Sequence, residues 1–215
     1  MAEKKRLFLA MNLGLAVTRK IADATVKMRS AAERRGLRVG WVPAANLHLT
    51  LKFLGWSSGD VVEAIHDRVV AAALGVKAFE LHARGAGGFP TDAGARILWV
   101  GVTDPAGVLA PLVQRLDGLM VELGFAREHR PYSAHITIGR VKDGPGTEEI
   151  LAPWKQIDFG TSLVREVVLY ESFTKSSGSE YMTQFRVALA RPERQTRDVE
   201  GGKESEDSDG GQHQP

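Results

Sequence analysis

Short stretches of alternating apolar and polar residues are interleaved along this chain with longer stretches of helical periodicity. "RLFLAMNL" (6–13), residues 46–54, "AFELHARG" (78–85), "ARILWVGVT" (95–103) and "SAHITIGRV" (133–141) read as strands. Residues 17–35 place Val17, Ile21, Ala24, Met28 and Ala31 at helical spacing, with Gly36 as the stop signal. "SSGDVVEAIHDRVVAAALG" (57–75) reads as a helix with Ser and Asp at its start and Gly75 at its end. A further amphipathic helix over 107–124 is closed by Gly124. The Gly-rich segment between 85 and 95 reads as a loop or turn, and a loop or short helix follows the fifth strand to about Lys155. "VREVVLYESF" (164–173) and "YMTQFRVAL" (181–189) suit a hairpin. Short turns between several strands favour antiparallel pairing, so the expected class is α+β with helices covering the sheets.

Two strands share a further pattern. "NLHLTLKFLG" (46–55) puts His48, Thr50 and Lys52 on one face and Leu49, Leu51 and Phe53 on the other. "AHITIGRVK" (134–142) repeats it, with His135 and Thr137 opposite Ile136 and Ile138. The apolar face needs only a core, but the His-x-Thr face needs another reason. The histidines are 87 positions apart, each near a long helix. A protein of two similar halves would bring them face to face.

Composition limits the chemistry. The 215 residues, 43% hydrophobic and 25% charged, are enough for one large domain or two small ones. There is no cysteine, which removes disulfides, thiolate catalysis and sulfur-bound zinc. The apolar run in "MAEKKRLFLAMNLG" is too short to span a membrane and has no small-residue cleavage site, so a cytoplasmic protein is expected. Without a sustained heptad pattern, a monomer with no obligate protein partner is the default. From Glu193 to Pro215 seven acidic residues face three basic ones, a net of −4, which leaves +6 on the rest. The expected organisation is a folded unit over 1–192 and a disordered acidic tail over 193–215. A basic folded part suits a phosphate-bearing partner.

On a strand, residues i and i+2 sit about 6.5–7 Å apart on one face, so each motif presents an imidazole beside a hydroxyl. Two imidazoles divide acid and base duties near neutral pH, and two hydroxyls suit the non-bridging oxygens of a phosphate. That set fits in-line displacement at phosphorus, a cyclic phosphodiester above all. No His-x-His and no carboxylate at ligand spacing accompany either histidine, so neither metal nor cofactor is expected. There is no Gly-x-Ser-x-Gly elbow. His66, His82 and His213 lack a matching context, and His129, nearer the second motif, reads as a solvated loop position in preference to a substrate contact.

With these residues in view, "HLTLKFLG" and "HITIGR" resemble the paired motifs of the two-histidine (2H) phosphoesterase superfamily. The resemblance extends over about residues 5–190, through "RLFLAMNL", "ILWVGV", "ELGFAREHRPYSAHITIGR" and "LYESFTKSSGSEYMTQFRVAL", to the RNA 2′,3′-cyclic phosphodiesterases, also called 2′-5′ RNA ligases. It implies a bilobal fold of pseudo-twofold symmetry, antiparallel sheets lining a central cleft with helices outside. It also implies metal-independent hydrolysis of a terminal 2′,3′-cyclic phosphate on RNA to a 2′-phosphomonoester. By the same resemblance His48 is the proton donor, His135 the proton acceptor, and Thr50 and Thr137 hold the phosphate. Arg140 matches a basic position after the second motif and would neutralise the phosphate.

Phe53 is placed either against a base or, by alternation, in the core. Tyr132 is a candidate for lining the nucleotide pocket, Lys52 for adding positive potential, and Arg127 and Arg130 for tracking the RNA backbone. Three alternatives stay open: 2′-5′ ligation of tRNA halves by the reverse reaction, a small-molecule phosphodiesterase acting on small cyclic nucleotides or an ADP-ribose cyclic phosphate, and a catalytically idle RNA-binding module.

Overall fold

The computed structural model describes residues 3–175 and 178–191; the acidic tail from Glu193 lies outside them. Among the described residues nine strands are interspersed with four α-helices. In chain order they are β1 (Lys4–Asn12), α1 (Leu15–Glu33), β2 (Arg38–Trp41), β3 (His48–Ser58), α2 (Val62–Ala73), β4 (Phe79–Phe89), β5 (Ile97–Thr103), α3 (Leu109–Glu122), β6 (His135–Asp143), α4 (Thr147–Leu151), β7 (Asp158–Val164), β8 (Glu166–Lys175) and β9 (Gly178–Ala188). No helix among the described residues is long and apolar enough to cross a membrane.

The strands join edge to edge in the order β7-β4-β5-β6-β3-β1-β8-β9, with β2 also on β6. Every strand pair is antiparallel. The middle of that order is a seam. β3 and β6 meet through one residue pair, Leu49 with Ile136, whereas the flanking pairs β1–β3 and β5–β6 run for most of their length. With β2 included, five strands lie on the β6 side of the seam and four on the β3 side, and each side carries one motif.

The halves exchange helices. After β1, α1 crosses to pack on β2, β7 and α4 of the other half; after β5, α3 crosses back to pack on α2 and β3. Helix α1 buries Val17, Ile21, Ala24, Met28 and Ala32, a stripe at helical spacing. Helix α3 buries Leu109, Leu112, Val113, Leu116 and Met120. Against these stripes lie the apolar faces of the central strands, including Leu7, Leu9, Leu49, Leu98, Val100 and Ile136, all fully buried. Each such side chain contributes about 1.5–3 kcal/mol of transfer free energy.

Three local expectations change. The Gly-rich segment is strand, because β4 runs through Gly85, Gly87 and Gly88 to Phe89. A Cβ at Gly87 would collide with the Trp99 ring, and one at Gly85 would stand 2.7 Å from the Lys155 carbonyl oxygen. These glycines serve close approach, not a turn. The Ser and Asp ahead of α2 make no side-chain cap, since β3 continues to Ser58 and a 3₁₀ turn leads into the helix. The short strands β2 and β7 add to those expected from the alternation.

Candidate active site

The seam positions the motifs. In an antiparallel pair, opposed residues share a face and their neighbours along each strand take the other. Leu49 and Ile136 both point into the core at 0% exposure, so His48, Thr50, His135 and Thr137 all stand on the opposite, half-open face. Opposite strand directions set His48 towards Thr137 and Thr50 towards His135. The imidazoles are therefore diagonal neighbours, at roughly 7–8 Å between backbone positions. The histidines lie side by side on adjoining strands of one sheet, where the repeat alone suggested two surfaces face to face.

Both rings are held by the same device. His48 Nδ1 lies 2.7 Å from the carbonyl oxygen of Asn46, and His135 Nδ1 lies 2.7 Å from that of Ser133, two residues back in each case. A carbonyl only accepts, so each Nδ1 carries a proton and each Nε2 is left for chemistry. His48 Nε2 is 3.1 Å from Thr50 Oγ1. Aromatic rings fix the tilt. Phe8 and Tyr181 stand 5.0 and 5.2 Å from the His48 ring, the latter edge-on, and Phe89 stands edge-on at 5.1 Å from His135. The Asn46 side chain donates to the Ser179 carbonyl, anchoring the entry of β3 to β9.

Burial pushes the His48 pKa down; the Asn46 carbonyl works against that shift, while the charges of Arg140 and His135 add to it. Burial thus favours neutral His48, and Arg140 lies close enough to bias its proton.

A bulge follows each threonine. β1 pairs Ala10 with Thr50 and Leu9 with Lys52, leaving Leu51 as the extra residue. β5 pairs Trp99 with Thr137 and Leu98 with Gly139, leaving Ile138 as the extra residue. Each bulge reverses the alternation, so the residue five positions after each histidine emerges on the histidine face. These residues are Phe53 and Arg140. Phe53 is 61% exposed, its ring 5.8 Å from Phe8, and does not pack in the core. Arg140 is exposed opposite Ile97.

The same bulge removes Lys52 from the cleft. Its Nζ is 2.6 Å from Asp117 Oδ1 on α3 and 2.8 Å from the Ala126 carbonyl oxygen, and its side chain is 6% exposed. Lys52 is a buried tie and not a nucleotide contact. Burial raises the Asp117 carboxyl, but hydrogen bonds from Lys52 and the Glu128 N–H, with the charges of Lys52 and Arg127, outweigh that and hold it below the usual carboxylate range.

Tyr132 is also engaged, its hydroxyl donating to the Thr50 carbonyl at 2.9 Å, and burial pushes its phenol pKa up. Arg127 pairs with Asp117, and Arg130, 87% exposed, pairs with Glu128. Among the described residues neither arginine bonds to the four motif side chains. His82 pairs with Asp158, and His66 packs edge-on against Phe185. No group of three or more His, Asp or Glu among the described residues is arranged to hold a metal ion.

Tyr132 lies in the segment that delivers His135, and its bond crosses the seam to β3. Tyr132→Phe is expected to cost about 1 kcal/mol in urea unfolding. Its activity loss should appear in kcat, since the phosphate-binding groups remain while the strands carrying acid and base lose a tie. A rise in KM with kcat unchanged would instead make the phenol a substrate contact.

The family model of the 2′-5′ RNA ligase superfamily matches residues 20–173, a span that holds both motifs. The chain belongs to the 2′-5′ RNA ligase superfamily. The RNA 2′,3′-cyclic phosphodiesterase of Methanothermobacter thermautotrophicus is 33% identical over 86% of this chain and 100% of its own length. That of Aeropyrum pernix is 28% identical over 76% of this chain and 94% of its own. Among solved structures, TT0787 of Thermus thermophilus superposes with a TM-score of 0.73 at 25% identity, covering 87% of this chain and 100% of that one. Escherichia coli LigT complexed with 3′-AMP gives 0.66 at 26% identity, covering 88% and 100%. The stretch matched to the 2′-5′ RNA ligase superfamily contains Phe53, Tyr132 and Arg140 beside the four motif groups.

Proposed function

We propose that this chain hydrolyses the terminal 2′,3′-cyclic phosphate of RNA to a 2′-phosphomonoester by two-histidine acid–base chemistry without a metal. The observation that carries the reading is the pair of Nδ1-anchored imidazoles set diagonally across the seam, each beside a threonine. Relatives named RNA 2′,3′-cyclic phosphodiesterase across most of the chain support it.

In the reaction, His135 Nε2 takes a proton from water as the water oxygen attacks phosphorus. The P–O3′ bond breaks opposite the incoming oxygen, and His48 Nε2 gives its proton to O3′. Thr50 and Thr137 donate to the non-bridging oxygens, and Arg140 offsets the charge that builds on them. The cycle ends with His135 protonated and His48 neutral, and exchange with solvent restores both. The depressed pKa of His48 fits this order, because the anionic phosphate raises it and so loads the acid when substrate binds. A ribose 5′-hydroxyl in place of water leads to the 2′-5′ ligation for which the superfamily is named, and the ratio of joined to hydrolysed tRNA halves measures that route.

Incubating the protein in EDTA with an RNA oligonucleotide ending in a 2′,3′-cyclic phosphate should give a 2′-phosphate at an unchanged rate, read by phosphorus NMR. A 3′-phosphate product would overturn the assignment of the leaving oxygen. Loss of turnover in EDTA would overturn the metal-free reaction.

A further inference from the structure

Beyond the first bulge, β3 carries a second irregularity that the reaction does not use. β1 pairs Phe8 with Phe53 and Leu7 with Gly55, leaving Leu54 as the extra residue, and Gly55 sits at φ +74°. That conformation suits glycine, and it turns the strand so that Trp56 emerges on the face that already holds Phe53. The register supports this placement. Trp56 is opposite Arg6, which lies two residues before Phe8 on β1 and so shares the face Phe8 uses to meet His48 and Phe53. Lys4, two residues further back, stands opposite Ser58 on the same face.

The result is a strip leading away from His48. Phe53 is 61% and Trp56 69% exposed, and the Lys4 and Arg6 side chains are exposed beside the indole. The alternate residues Lys5 and Leu7 turn to the other face, where Lys5 is bound to Glu171 and Leu7 lies in the core. A single exposed tryptophan needs no explanation. Two open aromatic rings in line with a phosphate-reacting site and flanked by cations match the way single-stranded nucleic acid is held, with bases on aromatic faces and the backbone along a positive track. The step from Phe53 to Trp56 is three strand residues, under about 10 Å. That is within the reach of one nucleotide of an extended strand.

We propose that Trp56, with Arg6 and Lys4, forms a second nucleotide subsite for single-stranded RNA: the base next to the terminal one stacks on the indole, and the phosphate joining the two nucleotides meets Arg6. The inference rests on the reading of the site as an RNA cyclic-phosphate hydrolase and extends it from the reacting end to the chain behind it. The occupant is a nucleic-acid strand, because the strip is continuous with the phosphate site and cationic along the indole's edge.

Two readouts test it. In the first, kcat/KM is compared for a nucleoside 2′,3′-cyclic phosphate and a tetranucleotide with the same end. The wild type should prefer the tetranucleotide by roughly 5- to 150-fold, the range for one base–aromatic stack. Trp56→Ala should bring the tetranucleotide down towards the nucleoside value, and Trp56→Phe should recover most of the difference. Equal rates on the two substrates, or an equal fall on both in Trp56→Ala, would overturn the proposal.

The second readout needs no turnover. Binding of a tetranucleotide ending in a 2′-phosphate should quench tryptophan fluorescence in the wild type and much less in Trp56→Phe. Arg6→Gln should flatten the dependence of log affinity on log salt by about 0.7, the slope that neutralising one phosphate of a single strand contributes. If cyclic ends are not hydrolysed but Trp56-dependent binding persists, the reaction assignment falls and the subsite stands. If cyclic ends are hydrolysed without length dependence or quenching, the subsite falls alone. Self-association abolished by Trp56→Ala, with RNA affinity unaltered, would make the strip an interface between copies and overturn the proposal.

Discussion

Replacing either motif imidazole, in His48→Ala or His135→Ala, is expected to lower kcat/KM on cyclic-phosphate RNA by roughly 10²- to 10⁴-fold, the scale of a lost general acid or base. The double variant should be little worse than the poorer single one, because acid and base act in the same transition state. Binding of the 2′-phosphate product should survive, since both threonines and Arg140 remain. His48 packs against Phe8 and Tyr181, so His48→Gln, which leaves less empty space, accompanies the alanine variant, with thermal unfolding as the control.

The pH profile of kcat/KM assigns the roles. A proton donor must be protonated in the free enzyme, so activity through His48 falls as pH rises past its lowered pKa. That limb should lie below the ordinary histidine value of about 6.5. His48→Gln should abolish the alkaline limb and leave the acid one, and His135→Gln should do the converse. If His48→Gln removes the acid limb instead, the two roles exchange. An idle RNA-binding module predicts RNA affinity and biological effect unchanged in both alanine variants.

The four motif groups were legible because period-two alternation survives over His48–Thr50 and His135–Thr137, where the strands are regular. Legibility stops one residue later. The bulges at Leu51 and Ile138 carry no local signal, since leucine and isoleucine are ordinary strand residues. Counting by twos therefore put Phe53 in the core and Lys52 in the cleft, the reverse of what the pairing with β1 enforces. The supporting aromatics were not legible. Phe8, Phe89, Tyr170 and Tyr181 come from strands far away in sequence, and each looks like any β-favouring ring until pairing sets it near an imidazole. Two halves were inferred from the motifs alone, and the crossing of α1 and α3 shows why the repeat fades elsewhere. Each helix packs on the other half, so its apolar stripe answers to a surface not made by its own sequence neighbours.

The largest stability effect is expected at Lys52. The Lys52 side chain is 6% exposed and that of Asp117 13%, so removing Lys52 leaves a largely buried carboxylate with only the Glu128 N–H and the Arg127 guanidinium at 3.6 Å. Lys52→Met should destabilise the fold by about 3–5 kcal/mol, measured as the shift in urea midpoint at constant slope. Converting both partners, in Lys52→Met with Asp117→Leu, should recover much of the loss, because no buried charge is then left unpaired and Arg127, which loses Asp117, is 54% exposed.

Acid supplies an independent check with a definite sign. The Asp117 pKa is depressed in the folded state, so the pair's stabilisation is complete above the unfolded carboxylate value of about 3.9 and is lost as pH falls through the folded one. Lys52→Met should therefore lose less stability than wild type on acidification. The tie also reaches the chemistry. Lys52 and Asp117 together fix the Ala126 carbonyl and the Glu128 N–H at the start of the segment that ends in Ser133 and His135. With one residue pair joining the motif strands, that segment and the Tyr132 bond to Thr50 hold the second imidazole against the first. Below its lowered melting point, Lys52→Met should still show reduced kcat with RNA affinity and its salt dependence unaltered. A nucleotide-contacting lysine would do the opposite, leaving stability intact and weakening RNA binding in a salt-dependent way.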